Sequence, residues 1–134
     1  MTERPPRPQE TTASKKEAAE EFLRLVAKGE VGQAFEKFVA PGFRHHNVHV
    51  PGDAGALMKA MEESHARYPH KVLEIQRTLQ DGEHVAIHSR LSLSPGHNGM
   101  ALVHLFRFRN GRIEELWDVG QEVPQASPNQ NGMF

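Results

Sequence analysis

Two features of this 134-residue chain carry most of its chemical potential: nine histidines, and an aspartate set among apolar neighbours near the end. Asp118 follows Leu116 and Trp117. A carboxylate in an apolar cavity has its charged form disfavoured, so its pKa rises toward a range useful for moving protons near neutrality. His104 belongs to the alternating run Met100, Leu102, His104, Phe106, Phe108, which is otherwise apolar. An imidazole there is either a satisfied core residue or one half of an acid–base pair. His45, His46 and His49 raise the option of a metal. In an extended segment His45 and His49 share a face while His46 points away, and two histidines without a placed third ligand make a weak zinc site. His97, beside a Pro-Gly pair, has no spacing that links it to them. A histidine- and glutamate-ligated β-barrel would need a close His-x-His pair, and the helical periodicity described next argues against it. The expectation is therefore no metal and no cofactor. The chain has no cysteine, which excludes thiol catalysis and disulfides. It also lacks the glycine-rich phosphate motifs and the Gly-x-Ser-x-Gly elbow.

Three segments show helical spacing. Ser14-Lys15-Lys16-Glu17 is a capping-box pattern, and Ala19, Phe22, Leu23 and Val26 follow on one face until Gly29. Val31, Ala34, Phe35 and Phe38 repeat that spacing before Pro41-Gly42. Asp53 is a suitable N-cap for a third helix carrying Ala54, Leu57, Met58 and Met61, which ends before Pro69. Between the second and third helices, Phe43 to Val50 reads as a strand or extended loop.

After Pro69 the period becomes two. Leu73, Ile75, Arg77 and Leu79 alternate with polar residues, and so do Val85, Ile87, Ser89, Leu91 and Leu93 beyond Asp81-Gly82. A three-residue loop, Gln80-Asp81-Gly82, would pair Ile75 with Ile87, Arg77 with Val85 and Glu74 with His88. That register gathers the apolar residues on one face and is the one expected. A second hairpin joins Met100–Arg109 to Arg112–Val119 through Asn110-Gly111. Here two registers remain open. A three-residue loop sets Leu102 opposite Asp118 with His104 on the same face. A two-residue Asn-Gly loop sets Val103 opposite Asp118, away from His104. Helices first and consecutive antiparallel strands afterwards imply an α+β domain whose sheet has one helix-covered face. Twist of such a sheet can leave a pocket between the layers.

The run Phe106-Arg107-Phe108-Arg109-Asn110-Gly111-Arg112-Ile113-Glu114-Glu115-Leu116-Trp117-Asp118-Val119-Gly120-Gln121 resembles the closing strand of SnoaL-like proteins in the nuclear-transport-factor-2-like superfamily. His45-His46-Asn47 resembles the Gln-His-Asn stretch after their second helix, with histidine in place of glutamine, and Asn131-Gly132-Met133-Phe134 resembles the tail of one subgroup. The resemblance spans residues 14 to 134. It implies a cone: a curved antiparallel sheet and three N-terminal helices enclosing a pocket. It also implies that Asp118 is the pocket carboxylate that moves a proton, assisted by His104 or His46. Asn47, Trp117 and Tyr68 become candidate ligand-binding residues. The implied activity is a cofactor-independent lyase, isomerase or cyclase acting on a small apolar carbonyl compound. The rival readings are a non-catalytic binder of such a ligand and a dimeric interaction module using the outer sheet face, with Glu74, Gln76, Thr78 and His84 upon it.

Length fits one domain, expected over residues 13–134 with a tail from about 121, after a polar, Pro-rich, disordered segment 1–12. The formal net charge of −1 shows no nucleic-acid footprint. No apolar run approaches membrane-spanning length. Small-ligand binding, a homodimer and a cytoplasmic location are the remaining expectations.

Overall fold

The computed structural model describes residues 14–134, and the tail expected over 1–12 lies outside the described residues. Helix α1 (Lys15–Ala27) begins where Ser14 accepts a hydrogen bond from the Glu17 amide at 3.1 Å. Its end is set by Gly29, whose φ of +88° lets the Gly29 and Glu30 amides reach back to Val26 and Leu25. The His65 ring packs directly over that glycine, where a Cβ would meet it at 2.4 Å. Helix α2 (Val31–Phe38) follows at once, and Arg112 donates to the Glu36 and Val39 carbonyls at its C-terminus. Helix α3 (Ala54–Arg67) is capped by Asp53, which accepts from the Ala56 amide at 3.0 Å.

Five strands form one curved, unclosed sheet: β1 (Val39–His45), β2 (Val72–Asp81), β3 (His84–Ser92), β4 (Met100–Arg109) and β5 (Arg112–Glu122), in the order β1-β5-β4-β3-β2. The last four are antiparallel, and β1 adds a parallel edge against β5. Strand β1 starts earlier than the sequence pattern implies, because Pro41 and Gly42 lie inside it at an irregularity rather than ending α2 in a loop. Helices α1 and α2 cover one sheet face through Phe22, Phe35, Phe43, Phe106 and Phe108. The Phe22 ring lies 5.4 Å from Phe35 and 6.0 Å from Phe106. Burying each such ring contributes about 1.5–3 kcal/mol.

The first hairpin differs from the expected register. Its loop is Gly82-Glu83, with Asp81 paired to His84. A bulge after Ile75 then shifts the alternation by one residue. Ile75 pairs with Ser89 rather than Ile87, Glu74 with Arg90, and Arg77 with His88. Thr78 consequently turns toward the helices and donates to Glu20 of α1 at 2.7 Å, while Leu79 is 65% exposed. A half-buried hydroxyl–carboxylate bond to α1 and an exposed Leu79 are what the bulge produces, and simple alternation cannot foresee either.

The second hairpin starts with the two-residue loop but follows neither register left open by the sequence, since His104 rather than Leu102 or Val103 lies opposite Asp118. Asn110 and Gly111 form a two-residue loop, both with positive φ. A bulge at Glu114 then moves β5 on by one residue, so that Phe106 pairs with Leu116 and His104 with Asp118. His104 and Asp118 are therefore direct cross-strand neighbours on the helix-covered face.

Candidate functional site

The inner, helix-covered face carries Ile113, Leu116 and Asp118 on β5, with Leu102, His104 and Phe106 opposite them on β4. Strand β3 continues the layer with Val85, Ile87 and Ser89. Half-buried Met58 and Met61 of α3, and Leu73 and Ile75 of β2, pack against this core. Asp118 is thus one of few charged groups in an apolar layer.

The segment after β1 brings the third polar group. His45 is buried and uses both ring nitrogens: Nε2 meets the Pro51 carbonyl at 2.6 Å, and Nδ1 accepts from the Asn47 amide at 3.2 Å. That assignment makes His45 the neutral Nε2–H tautomer and removes it from any metal role. The Asn47 side chain accepts from the His49 amide at 2.9 Å and donates from Nδ2 to Asp118 Oδ2 at 3.0 Å. With the amide oxygen fixed by His49, the amide nitrogen can only face the carboxylate. The histidine that replaces the resembled glutamine is therefore an anchor for Asn47.

His104 sits opposite Asp118, its ring 6.2 Å from Phe106. Burial lowers its pKa, and the nearby Asp118 charge offsets only part of that, so the imidazole is neutral at pH 7. Its Nδ1 is enclosed and has no hydrogen-bond partner among the described residues.

His46 and Trp117, both candidates from the sequence, do not join this group. Alternation along β5 turns Trp117 to the outer face, and His46 stacks on it at 4.9 Å with the rings 3° from parallel. His46 Nε2 also lies 2.5 Å from Glu115 Oε2. Glu115 is a residue that sequence reasoning missed. It is 4% exposed on the outer face and is held by Arg107 at 2.7 Å and Arg44 at 3.0 Å. Burial raises its pKa, but hydrogen bonds from His46, Arg107 and Arg44 outweigh that and hold it at about 2. A glutamate between Glu114 and Leu116 carries no sequence signal of burial, because the bulge at Glu114 decides which glutamate turns toward the arginines. Tyr68 caps the C-terminus of α3, its amide donating to the Ser64 carbonyl, and is half-buried. His88 meets Arg77 and Phe134 rather than Glu74.

Two surface clefts lie elsewhere. One, about 890 Å³, sits beneath the start of α1 beside Lys15, Glu83 and Arg107. The other, about 540 Å³, lies under the C-terminal segment beside Arg90 and Phe134. Neither is lined by Asp118, His104 or Asn47.

Comparison with known proteins places the chain. Residues 19–116 match the SnoaL-like domain family, so the chain belongs to that family. A search of curated proteins finds no match. Among solved structures, IdmH of Streptomyces antibioticus, a candidate polyketide cyclase, superposes with a TM-score of 0.68 at 17% identity, over 81% of this chain and 92% of its own. AclR of Streptomyces galilaeus, a candidate hydroxylase, gives 0.69 at 19% identity, over 83% and 91%. A candidate ketosteroid isomerase from Kribbella flavida gives 0.67 at 18% identity, over 87% and 84%. These likenesses establish the fold. No helix among the described residues is long and apolar enough to cross a membrane.

Proposed function

We propose that the protein is a cofactor-independent acid–base catalyst, an isomerase, lyase or cyclase, for a small, mostly apolar carbonyl compound. The observation that carries this reading is the pairing of Asp118 with His104 on the inner sheet face, with Asn47 fixing one carboxylate oxygen. Asp118 is the group that takes a proton from the carbon next to a carbonyl and later returns one. Asn47 orients it, and His104 is the neutral partner beside it. The ligand lies between α3 and the sheet, against Met58, Met61, Leu73 and Ile75, whose partial exposure gives it an apolar wall. The isomerase and cyclase descriptions of structural neighbours agree with this chemistry.

The test is deuterium incorporation. Small cyclic ketones such as cyclohexanone and 2-tetralone are incubated in D₂O with the protein, and α-proton loss is followed by NMR. Wild type accelerates exchange, and Asp118→Asn removes the acceleration. Full exchange by Asp118→Asn would sink the assignment and leave a ligand-binding role.

A second reading concerns assembly and is compatible with the first. The outer face exposes Val119 (66%) and Val103 (38%) as cross-strand partners, with Leu105 and Trp117 beside them. An apolar stripe in the middle of an antiparallel sheet suits a two-fold contact with a second copy. Light scattering at tens of micromolar gives a dimer mass for wild type and a monomer mass for Val119→Glu. A wild-type monomer mass would remove this reading.

A further inference from the structure

Four buried side-chain atoms lack a hydrogen-bond partner among the described residues, and two of them belong to the inner face: Ser89 Oγ and His104 Nδ1. Ser89 is fully buried on β3. It pairs with Leu102, while Ile87 pairs with His104, so Ser89 and His104 are diagonal neighbours across β3 and β4. Diagonal Cβ atoms lie about 7–8 Å apart, a span that two side chains and one shared oxygen can bridge. Asp118 completes the row on β5. An unpartnered buried hydroxyl is destabilising, so its presence at Ser89 calls for an explanation.

We propose that Ser89 and His104 form a donor pair for the carbonyl oxygen of the substrate. This assignment rests on the acid–base reading of Asp118 and extends it to ketones with an acidic α-hydrogen. The Asp118 carboxylate takes the α-proton, and the C–H electron pair becomes the enolate double bond. The carbonyl π pair moves onto oxygen. That oxygen accepts from the Ser89 hydroxyl and from His104 in its Nδ1–H tautomer. The proton then returns from Asp118 to the same carbon or to its conjugate position, so no oxidant or reductant is consumed. Donors placed where charge develops act more strongly on the transition state than on the ground state. A neutral imidazole suits this role, because it donates without trapping the enolate as an ion pair.

The test uses 4-nitrophenol, whose phenolate resembles an enolate and is read by its absorbance. Asp118→Asn, which mimics the protonated acid, is the background for binding. Adding Ser89→Ala to it is expected to weaken phenolate binding by about tenfold or more. In the Asp118-containing protein, Ser89→Ala is expected to slow ketone exchange by about 10²-fold. Its melting temperature is expected to hold or rise, since the change removes an unpartnered buried hydroxyl. Unchanged phenolate binding and exchange in Ser89→Ala would overturn the donor pair while leaving Asp118 as the base. No phenolate binding by Asp118→Asn at millimolar probe, or loss of folding in Ser89→Ala, would overturn it as well. Exchange surviving in Asp118→Asn would instead remove the acid–base reading, whatever the phenolate shows.

Discussion

On β5, Glu115 and Asp118 are three residues apart, and the sheet treats the two carboxylates differently. Glu115 faces outward and is surrounded: Arg107, Arg44 and His46 supply its hydrogen bonds. Asp118 faces inward with one donor, Asn47, and a cross-strand neighbour, His104, whose Nδ1 itself has no partner among the described residues. A carboxylate whose lone pairs are all occupied is a structural fixture, because nothing remains with which to accept a substrate proton. One with a free oxygen in an apolar layer can still react. Residues 45–47 span both environments: His45 is buried, His46 grips Glu115, and Asn47 reaches Asp118. One short segment is thus clamped from both sides of the sheet edge, and the outer cluster holds the loop that positions the inner one.

The largest expected effect tests the inner carboxylate. Asp118→Asn should lower α-proton exchange by about 10²–10⁴-fold, with little change in melting temperature. Glu115→Gln should show the reverse, a melting temperature lower by several degrees with exchange reduced far less. If both variants lost activity and stability together, the division of labour between the faces would fail.

Neighbouring residues sharpen the contrast. Asn47→Ala removes a charge-assisted hydrogen bond to Asp118 and should slow exchange by about tenfold. His46→Ala removes the Glu115 contact and the Trp117 stack, and should act on thermal stability instead. Parallel kinetic and melting measurements on the two variants decide the point.

Acid titration separates the faces by pH. His104 has a lowered folded pKa, so the unfolded chain binds its proton more readily. Its contribution to stability is present at neutral pH and declines as pH falls below about 6.5. Glu115 has a folded pKa of about 2, so its contribution is full above the ordinary value of 4.5 and is lost as pH falls toward 2. Chemical denaturation at several pH values should therefore show that His104→Gln flattens the upper window and Glu115→Gln the lower one. The same slope in both windows for either variant would contradict this assignment.

Much of this was legible before any coordinates. The three helices follow from apolar residues at helical spacing with Ser14 and Asp53 as caps, and Asn110-Gly111 marked the second hairpin. Asp118 and His104 were legible as chemistry-bearing residues, but their pairing was not. It depends on a bulge at Glu114, and a bulge is a one-residue compromise between turn geometry and core burial that no single residue type announces. The placement of Trp117 and His46 differs for another reason. Trp117 was grouped with Asp118 as its neighbour in the strand and His46 through the family resemblance, whereas strand alternation turns Trp117 to the other face and His46 stacks on it there. Ser89 stood in an alternating stripe, and sequence alone shows neither its burial nor its missing partner.

The smallest effect examines the other bulge, after Ile75, which has no part in the chemistry. It turns Thr78 inward to Glu20 and leaves Leu79 outside. Thr78→Val keeps the shape and removes the 2.7 Å bond, leaving the half-buried Glu20 without that donor. A loss of about 1 kcal/mol is expected in denaturant unfolding, with exchange unchanged. Leu79→Thr, on the exposed side, should change neither. A large loss for Leu79→Thr with none for Thr78→Val would mean that β2 continues its simple alternation past Ile75. The pairing of β2 with β3 beyond Ile75 would then have to be redrawn, while the row that joins Asp118, His104 and Ser89, set by β3, β4 and β5, would stand.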